Sequence, residues 1–434
     1  MKKIKSSYIS LSIDVLHHGH IKLIKAASKY KLTVGLLTDQ AISKSKRLPV
    51  LSFENRKKIL ENIKGVHNVI PQQEWDYSKN IMKLKPDFFF HGDDWNLTKD
   101  NKLKKNAINA LKNYGGKLVQ IPHTKNISST ELIAAYNQRL NSKFVKSSNL
   151  KRLLNSKKIV RILETHSPIS AIIAENAKYK TKKEIREFDG FWSSSLTDST
   201  ILGKPDNEIL NISERLNKIT QIMDVTTKPL IMDIDTGGKL EHLQSHIISL
   251  QNQGVAAVIM EDKKGLKKNS LFGTSVKQYQ EDPHKFVKKI KLIKSININA
   301  DFMVIARIES LILGKSVNDA LKRAELYVKS GVDGIMIHTA QNDPIDIFRF
   351  SKKFKKIHNK IPLVAVPSSY SQIKEDKLIK NGFNIVIYAN QMFRATYPAM
   401  LKTALSILKN TRSLEVENNL MSIKKILNLI SERK

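Results

Sequence analysis

The sequence predicts an α/β protein of two domains, an open parallel sheet followed by a larger (β/α)8 barrel. The chain has 434 residues, which allows two or three domains of roughly 150 residues each. Short apolar segments alternate with helical segments in both parts of the chain, as is typical of parallel sheets with right-handed crossovers. Eight such units in the second part suit a closed barrel. We predict a first domain at 1–140, a linker at 141–150 and a barrel with C-terminal helices at 151–434.

The first domain combines apolar runs with intervening helical patterns. Its predicted strands are 8–13, 32–37 and 87–90, and its predicted helices are 21–29, 54–63 and 103–113. A polar stretch rich in Ser and Lys follows, and this composition predicts the linker.

The second domain contains eight apolar runs that we interpret as strands. These are 171–174, 191–193, 230–234, 255–260, 303–306, 334–337, 363–366 and 385–388. Helical segments lie between most of them; one at 319–329 ends before Gly331, a typical C-cap residue. A last helix is predicted at 420–430, where we expect it to pack on a neighbouring subunit.

Composition indicates a globular protein and excludes several chemistries. Hydrophobic residues make up 41% of the chain and charged residues 26%, as in average globular proteins. The chain has no cysteine, which excludes disulfides, zinc thiolate sites and thiol nucleophiles and suits a reducing cytoplasm. No signal peptide and no run of eighteen apolar residues is present, so we expect a cytoplasmic protein without a membrane partner.

The formal net charge of +34 raises the possibility of nucleic-acid binding. Lysines are, however, scattered along the whole chain, and aromatic residues are only 7% of it, which leaves few platforms for base stacking. We therefore predict no nucleic-acid partner and interpret the charge as one that attracts small anions.

A histidine motif follows the first predicted strand. His17 and His20 are three residues apart where a helix is expected to begin, shortly after Asp14. Free N–H groups and the helix dipole favour an anion at that position, and the two imidazoles can stabilise charge on a phosphate under attack. A second helix start contains Ser129 and Thr130, whose hydroxyl groups could bind phosphate.

This part of the chain resembles glycerol-3-phosphate cytidylyltransferases over residues 4–139. The resemblance lies in four motifs in the family's order, His17-x-Gly19-His20, Phe53-Glu54-Asn55-Arg56-Lys57, Gly92-Asp93-Asp94-Trp95 and Ile127-Ser128-Ser129-Thr130. It implies a Rossmann-like nucleotidyltransferase domain with CTP as cosubstrate. It also implies that the two histidines contact the α-phosphate, that Lys46 helps to hold the triphosphate, and that Asp14, Ser129 and Thr130 lie in the nucleotide site.

Two departures from that family concern the acceptor. The family has Gly-Thr-Phe-Asp where this chain has Leu11-Ser12-Ile13-Asp14, and it has Arg where this chain has His123. We therefore do not expect glycerol phosphate to be the acceptor, and the choice between CTP and ATP stays open.

Three acidic residues in the second domain follow predicted strands. Asp233 and Asp235 end one strand, where alternation predicts both side chains on the same side, and Glu261 ends the next. Because barrels place their chemistry at the carboxyl ends of strands, these oxygens are predicted to hold Mg²⁺.

Polar residues near other strand ends complete the predicted site. Lys267, Asn269 and Ser270 belong to a basic loop that can close over a phosphorylated ligand. Arg307 can clamp phosphoryl oxygens and His338 can donate a hydrogen bond. The remaining candidates are the carboxylate-binding residues Trp192, Ser194 and Leu196, and Asp206, which can face the transferred group.

The decapeptide from Glu261 to Ser270 resembles the gating loop of phosphoenolpyruvate mutases, within the isocitrate lyase superfamily. The resemblance covers residues 151 to about 430 and implies a helix-swapped barrel that assembles as a homo-oligomer, usually a tetramer. It implies interconversion of phosphoenolpyruvate and phosphonopyruvate, with Asp233 on Mg²⁺ directly or through water and Asp235 and Glu261 mainly through water. Whether Asp206 takes the phosphoryl group covalently or positions it stays open.

Three alternatives accompany this interpretation. Isocitrate-type lyases use a cysteine that this chain lacks. A phosphonopyruvate hydrolase with a vestigial nucleotidyltransferase domain would differ in loop residues that govern water access, and the pattern Lys267-x-Asn269-Ser270 favours the mutase. A non-catalytic basic scaffold would need no acidic cluster beside such a loop.

Overall fold

The computed structural model describes residues 4–44, 48–93, 101–122, 143–181, 184–296 and 298–429. Its first part is an open five-stranded parallel sheet in the order β3-β2-β1-β4-β5. The strands are β1 Ser6–Leu11, β2 Lys31–Leu37, β3 Val66–Gln72, β4 Phe88–Gly92 and β5 Lys117–Ile121. The helices are α1 His18–Ala27, α2 Asp39–Ser43, α3 Phe53–Glu61, α4 Ser78–Leu84 and α5 Asn101–Lys112.

This sheet places the histidine motif at a topological switch point. Strand order reverses between β1 and β4, because β2 lies on one side of β1 and β4 on the other. Ligands of open α/β sheets bind outside the carboxyl ends of the strands at such a point. The loop after β1 leads into α1 there, so the predicted Rossmann-like architecture is confirmed.

The second part is a closed eight-stranded parallel barrel. In chain order its strands are β6 Val160–Glu164, β9 Gly190–Ser193, β10 Leu230–Asp233, β11 Ala257–Glu261, β14 Met303–Ile308, β15 Gly334–Ile337, β16 Leu363–Ala365 and β17 Ile385–Tyr388. The barrel closes where β17 pairs with β6. Two hairpins lie outside it, formed by β7 Lys178–Lys180 with β8 Ile185–Glu187 and by β12 Lys263–Lys264 with β13 Tyr279–Gln280.

Helices accompany the barrel strands, and most of them bury apolar residues against these strands. They are α6 Lys143–Ser156, α7 Pro168–Asn176, α8 Ser195–Thr200, α9 Ile212–Val225, α10 Leu240–Asn252, α11 Pro283–Ser295, α12 Val317–Lys329, α13 Ile345–Ile357, α14 Glu375–Lys380, α15 Gln391–Asn410 and α16 Ile423–Leu429.

One of the eight predicted strands is wrong. Residues 171–174 lie inside α7, and the first barrel strand is β6. Ser167 caps α7 through a capping box and Pro168 occupies its first turn, which favours a helix start. Ala171 and Ala174 are buried three positions apart while Ile173 is exposed. The apolar run is thus one helical face, whereas the other seven predicted strands overlap observed ones.

Within the predicted linker, the residues from Lys143 onward are helical, since α6 begins there. Leu150 and Leu153 of this helix belong to the apolar cluster inside the barrel. Lys151 donates to the carbonyl of Ala300, which precedes β14, at 2.7 Å. The helix therefore covers the amino ends of the barrel strands, opposite the end where the predicted catalytic acids lie.

The C-terminal helices are exposed. No residue of α15 or α16 is buried, although Tyr397, Leu405 and Leu408 are large and apolar. Across the described residues, no helix combines the length and apolar character that crossing a membrane would require.

Candidate active site

The acidic residues of the barrel meet at the carboxyl ends of β10 and β11. Asp233 and Glu261 are the last residues of these strands, and both are buried, as is Asp235. Asp235 lies beyond the end of β10 in a left-handed conformation with φ 54°. Its N–H donates to Oδ1 of Asp233 at 3.0 Å. The two aspartates are therefore brought together by a turn, and the predicted strand alternation between them is wrong.

The basic loop closes over these acids. Nζ of Lys267 donates to a carboxylate oxygen of Asp235, to Oγ of Ser195 at 2.7 Å and to Oδ1 of Asp206 at 2.7 Å. Nδ2 of Asn269 donates to the other oxygen of Asp206 at 2.7 Å. Asp206 thus holds two residues of the loop at once.

Arg307 lies among acidic side chains on the other side of the site. Its Nε donates to Glu309 at 2.5 Å, and its Nη2 donates to Oγ of Ser270 at 2.6 Å. Nη2 is also 3.4 Å from Glu261, and Nη1 is 3.8 Å from Asp233. The guanidinium therefore links the loop to the acidic residues.

Most of the predicted residues line one small cavity of about 60 Å³. A space of this size admits a few water molecules, since a cavity needs at least ~10–15 Å³ of such volume to hold one water. The predicted residues that line it are Trp192, Ser194, Leu196, Asp206, Asp233, Lys267, Asn269, Ser270, Arg307 and His338. Asp235 and Glu261 lie behind this surface, where they contact Lys267 and Arg307 respectively.

Burial and neighbouring charges shift the pKa values of these groups. Burial and the adjacent Asp235 raise the pKa of Asp233. Burial opposes ionisation of Asp235 as well, but the charges of Lys267 and Arg215 hold its pKa below the usual value. Burial raises the pKa of Glu261 to about 7. Burial, together with the charge of Arg307, lowers the pKa of His338 to about 3. His338 is therefore neutral at pH 7.

The donor set fits a divalent cation that is held partly through water. Both carboxylate oxygens of Glu261 are buried without a hydrogen-bond partner among the described residues. Hard carboxylate oxygens are the ligands that Mg²⁺ prefers, and this ion usually keeps several waters. The described residues contain no group of three acids or histidines placed to coordinate one ion together. The arrangement therefore suits one or two direct carboxylate ligands and water at the remaining positions.

Sequence reasoning missed four polar residues of this site. Ser195 bridges Lys267 and Asp233, at 2.7 and 3.3 Å. Glu309 accepts from Arg307 and from Ser270, and Lys263 donates to Ser270 at 2.8 Å. The spacing of Arg307 and Glu309, two residues apart in the sequence, was a local signal for this ion pair, although Glu309 lies one residue beyond the end of β14.

Arg215 is the fourth of these residues, and no local pattern in the sequence indicated that it belongs to the site. It lies on α9, is fully buried, and donates to the carbonyl of Asp233 at 2.5 Å and to that of Ser193 at 3.1 Å. It therefore ties the ends of β9 and β10 together beneath the cavity.

The histidine motif of the first domain is assembled at the start of α1. His17 is the N-cap residue, and its ring centroid lies 3.8 Å from that of His20. Burial and the neighbouring His17 lower the pKa of His20 to about 4. The predicted proximity of the two imidazoles is thus observed.

Asp14 contacts a neighbouring loop. Its Oδ1 accepts from the N–H of Val50 at 2.5 Å, and burial raises its pKa. The other predicted nucleotide residues, Lys46, Ser129 and Thr130, lie outside the described residues.

The barrel thus presents buried acids beneath a basic loop, and the parallel sheet presents paired histidines at its switch point, so the chain contains two separate candidate sites. Residues 150–408 match the family model of phosphoenolpyruvate phosphomutase, and the chain belongs to that family. Residues 12–135 match the cytidylyltransferase-like family, so the N-terminal part is a domain of that type.

Curated relatives agree with this division. The chain is similar to phosphoenolpyruvate phosphomutase of Tetrahymena pyriformis, with 33% identity over 288 residues, 66% of this chain and 92% of that protein. It is equally similar to phosphonopyruvate hydrolase of Variovorax sp. (strain Pal2), with 33% identity over 286 residues, 65% of this chain and 94% of that protein. The N-terminal part is 35% identical over 124 residues to glycerol-3-phosphate cytidylyltransferase of Bacillus spizizenii, 28% of this chain and 88% of that protein.

Solved structures resemble the barrel. The phosphoenolpyruvate phosphomutase of Streptomyces platensis subsp. rosaceus has a TM-score of 0.60 and 32% identity, with 65% of this chain and 94% of that chain covered. A phosphonopyruvate hydrolase in complex with oxalate and Mg²⁺ has a TM-score of 0.58 and 31% identity, with 65% and 94% covered. The helix-swapped exchange between subunits stays a prediction.

Proposed function

We propose that the barrel interconverts phosphoenolpyruvate and phosphonopyruvate, and that the N-terminal domain transfers CMP from CTP to a phosphonate. The observation that carries the first proposal is the closed loop, in which Lys267 and Asn269 both contact Asp206 above the buried acids. A loop that excludes water suits the transfer of a phosphoryl group from oxygen to carbon, because water would otherwise capture it.

The residues of the cavity have distinct proposed roles. Breaking the P–O bond of phosphoenolpyruvate leaves the electron pair on the enolate oxygen, and the enolate carbon then forms the P–C bond. Arg307, Asn269 and His338 hold the phosphoryl oxygens, His338 as a neutral donor, while charge is spread over that group. Asp233, and through water Asp235 and Glu261, would hold Mg²⁺, which would supply Lewis-acid stabilisation of the enolate.

The N-terminal end of α8 suits the carboxylate of the substrate. Ser194 is the N-cap residue of this helix, and Leu196 follows within its first turn. Free N–H groups at that end favour an anion. Trp192 precedes them on β9 and lines the same cavity. We propose that these residues orient the pyruvate unit while the phosphoryl group moves.

We assign Asp206 to loop closure. Each of its two oxygens accepts a hydrogen bond from the loop, at 2.7 Å in both cases. A covalent role, in which a carboxylate oxygen attacks phosphorus, would require those contacts to open. The loop contacts therefore favour the positioning role.

The hydrolase is the second candidate for the barrel, because a phosphonopyruvate hydrolase shares the same identity with this chain as a mutase does. ³¹P NMR of the protein with Mg²⁺ and phosphonopyruvate distinguishes them. The mutase proposal expects phosphoenolpyruvate to accumulate. Inorganic phosphate with pyruvate as the main products would overturn it.

The N-terminal proposal rests on the paired imidazoles at the start of α1, which can stabilise charge on the α-phosphate of a nucleotide. The test adds CTP and candidate phosphonates to the same NMR sample. A phosphonate–phosphate anhydride with release of pyrophosphate is expected. Absence of any such product with every phosphonate and with either CTP or ATP would contradict the proposal.

We also propose that the protein is a homo-oligomer of four subunits. The exposed apolar face of α15, with Tyr397, Leu405 and Leu408, supports this proposal, because contiguous exposed apolar patches of this kind mark interaction sites. Sedimentation velocity measures the mass directly, and a monomer at micromolar concentration would refute it.

A further inference from the structure

The helix α6 contacts both domains. Toward the barrel it buries Leu150 and Leu153 in the apolar cluster, and Lys151 bonds the carbonyl of Ala300. Toward the first domain, its residue Arg152 contacts the segment of residues 49–51. The helix is thus part of the barrel domain and borders the first domain at the same time.

Arg152 binds three consecutive carbonyl groups of the first domain. Its Nη1 donates to Val50 at 2.9 Å, and its Nη2 donates to Pro49 at 2.6 Å and to Leu51 at 3.3 Å. Nη2 is also 3.5 Å from a carboxylate oxygen of Asp39. The planar guanidinium has several donors in a fixed geometry, which a lysine cannot reproduce. A single side chain therefore holds the whole segment 49–51.

The same segment is bound from inside the first domain by Arg56. This residue is fully buried and donates to the carbonyl of Leu51 at 3.2 Å and to a carboxylate oxygen of Asp39 at 2.6 Å. It also donates to the carbonyl of Ser12, in the loop that leads to the histidine motif. Asp39 thus lies between two guanidinium groups, one from each domain.

The segment 49–51 in turn holds the loop of the nucleotide site. The N–H of Val50 donates to Asp14 at 2.5 Å, and Asp14 lies three residues before the N-cap residue His17. Contacts therefore run without interruption from the barrel domain, through Arg152 and Val50, to the loop that precedes the paired imidazoles.

We propose that Arg152 is a positioning residue for the nucleotide site, so that this site is completed by a side chain of the barrel domain. The inference rests on the proposed nucleotidyltransferase function and deepens it. Loss of the guanidinium removes its three hydrogen bonds to segment 49–51 and leaves those of Arg56 with Leu51 and of Asp14 with Val50, so that the histidine loop is held less firmly. Binding of the nucleotide must then order these residues, which weakens its affinity.

The test uses full-length variants and measures binding of Mg²⁺–CTP by calorimetry. Arg152→Ala is expected to weaken binding at least about tenfold, which corresponds to the free energy of one hydrogen bond to a charged group. The affinity of Arg152→Lys is expected to lie between those of Arg152→Ala and wild type. Lys151→Ala is the matched control, because Lys151 lies on the same helix but contacts Ala300, and its affinity should equal wild type. Millimolar guanidinium is expected to restore binding to Arg152→Ala alone.

Three results decide between the possible explanations. Equal CTP affinity in wild type and Arg152→Ala would overturn the positioning role. Loss of phosphoenolpyruvate formation in Arg152→Ala and in Arg152→Lys would also overturn it, since Arg152 would then stabilise the whole fold. No binding of either CTP or ATP by a wild-type protein with an active barrel would instead overturn the proposed nucleotidyltransferase function itself.

Discussion

Replacement of Asp206 by Ala removes both contacts that hold the loop from the opposite wall. The side chain is only 7% exposed, so solvent screens these contacts little. Hydrogen bonds to charged groups contribute about 1.5–3 kcal/mol each. Because Lys267 keeps its contacts with Ser195 and Asp235, we take the loss at about 2–4 kcal/mol, which lowers the equilibrium constant for loop closure about 30- to 1,000-fold.

We therefore expect phosphoenolpyruvate formation by Asp206→Ala to fall by up to that factor, and the share of phosphonopyruvate that is hydrolysed to rise. ³¹P NMR measures both products, and trypsin should cut more quickly after the exposed residues Lys264 and Lys268 of the opened loop. Asp206→Asn keeps one acceptor oxygen and should be intermediate. The exposed Glu241 supplies the control, since Glu241→Gln should behave as wild type.

Two outcomes would refute this reasoning. A wild-type rate and product ratio in Asp206→Ala would show that the contacts of Asp206 with Lys267 and Asn269 are dispensable. Complete inactivity of Asp206→Asn, with trypsin cleavage as slow as in wild type, would show that the carboxylate acts on the phosphoryl group itself.

Three further predictions concern the metal site, the histidine pair and the C-terminal helix. Asp233→Ala should abolish phosphoenolpyruvate formation and leave CTP affinity unchanged; loss of both in a folded protein would contradict the division into two sites. His20, whose pKa is lowered to about 4, should titrate below pH 5 by NMR. Because the unfolded chain takes up this proton near pH 6.5, His20 should reduce stability as pH falls from about 6.5 to 4, and His20→Asn should flatten that part of the curve; titration near 6.5 would disprove the burial argument. Leu405→Glu should lower the sedimenting mass, and an unchanged mass would exclude this face of α15 as an interface.

Much of the fold was predictable because strand periodicity and strand ends are local features. Apolar runs located seven of the eight barrel strands, and polar residues just beyond them marked most of the cavity. The error at 171–174 has a physical reason, since a short apolar run fits both a buried strand and one face of a helix. The capping box at Ser167 and Ser170 was the signal that could have decided for the helix.

The remaining part of the site depends on contacts between distant segments. Arg215 reaches Asp233 from a preceding helix, and Asp206 reaches Lys267 across the mouth of the barrel. Neither pairing leaves a periodic pattern in the chain. The turn that brings Asp235 back to Asp233 is a further case, because it depends on a left-handed backbone that alternation does not predict.

The position of α6 also affects the path that a small molecule takes from the barrel mouth to the histidine pair. The paired histidines belong to the domain that contacts this helix at the amino ends of the strands, whereas the loop-covered mouth opens at their carboxyl ends. A five-residue strand alone separates the two ends by roughly 17 Å. Under the proposed functions, a molecule released from the mouth therefore enters bulk water before it reaches the histidine pair. Fusion in one chain thus fixes a one-to-one ratio of the two domains.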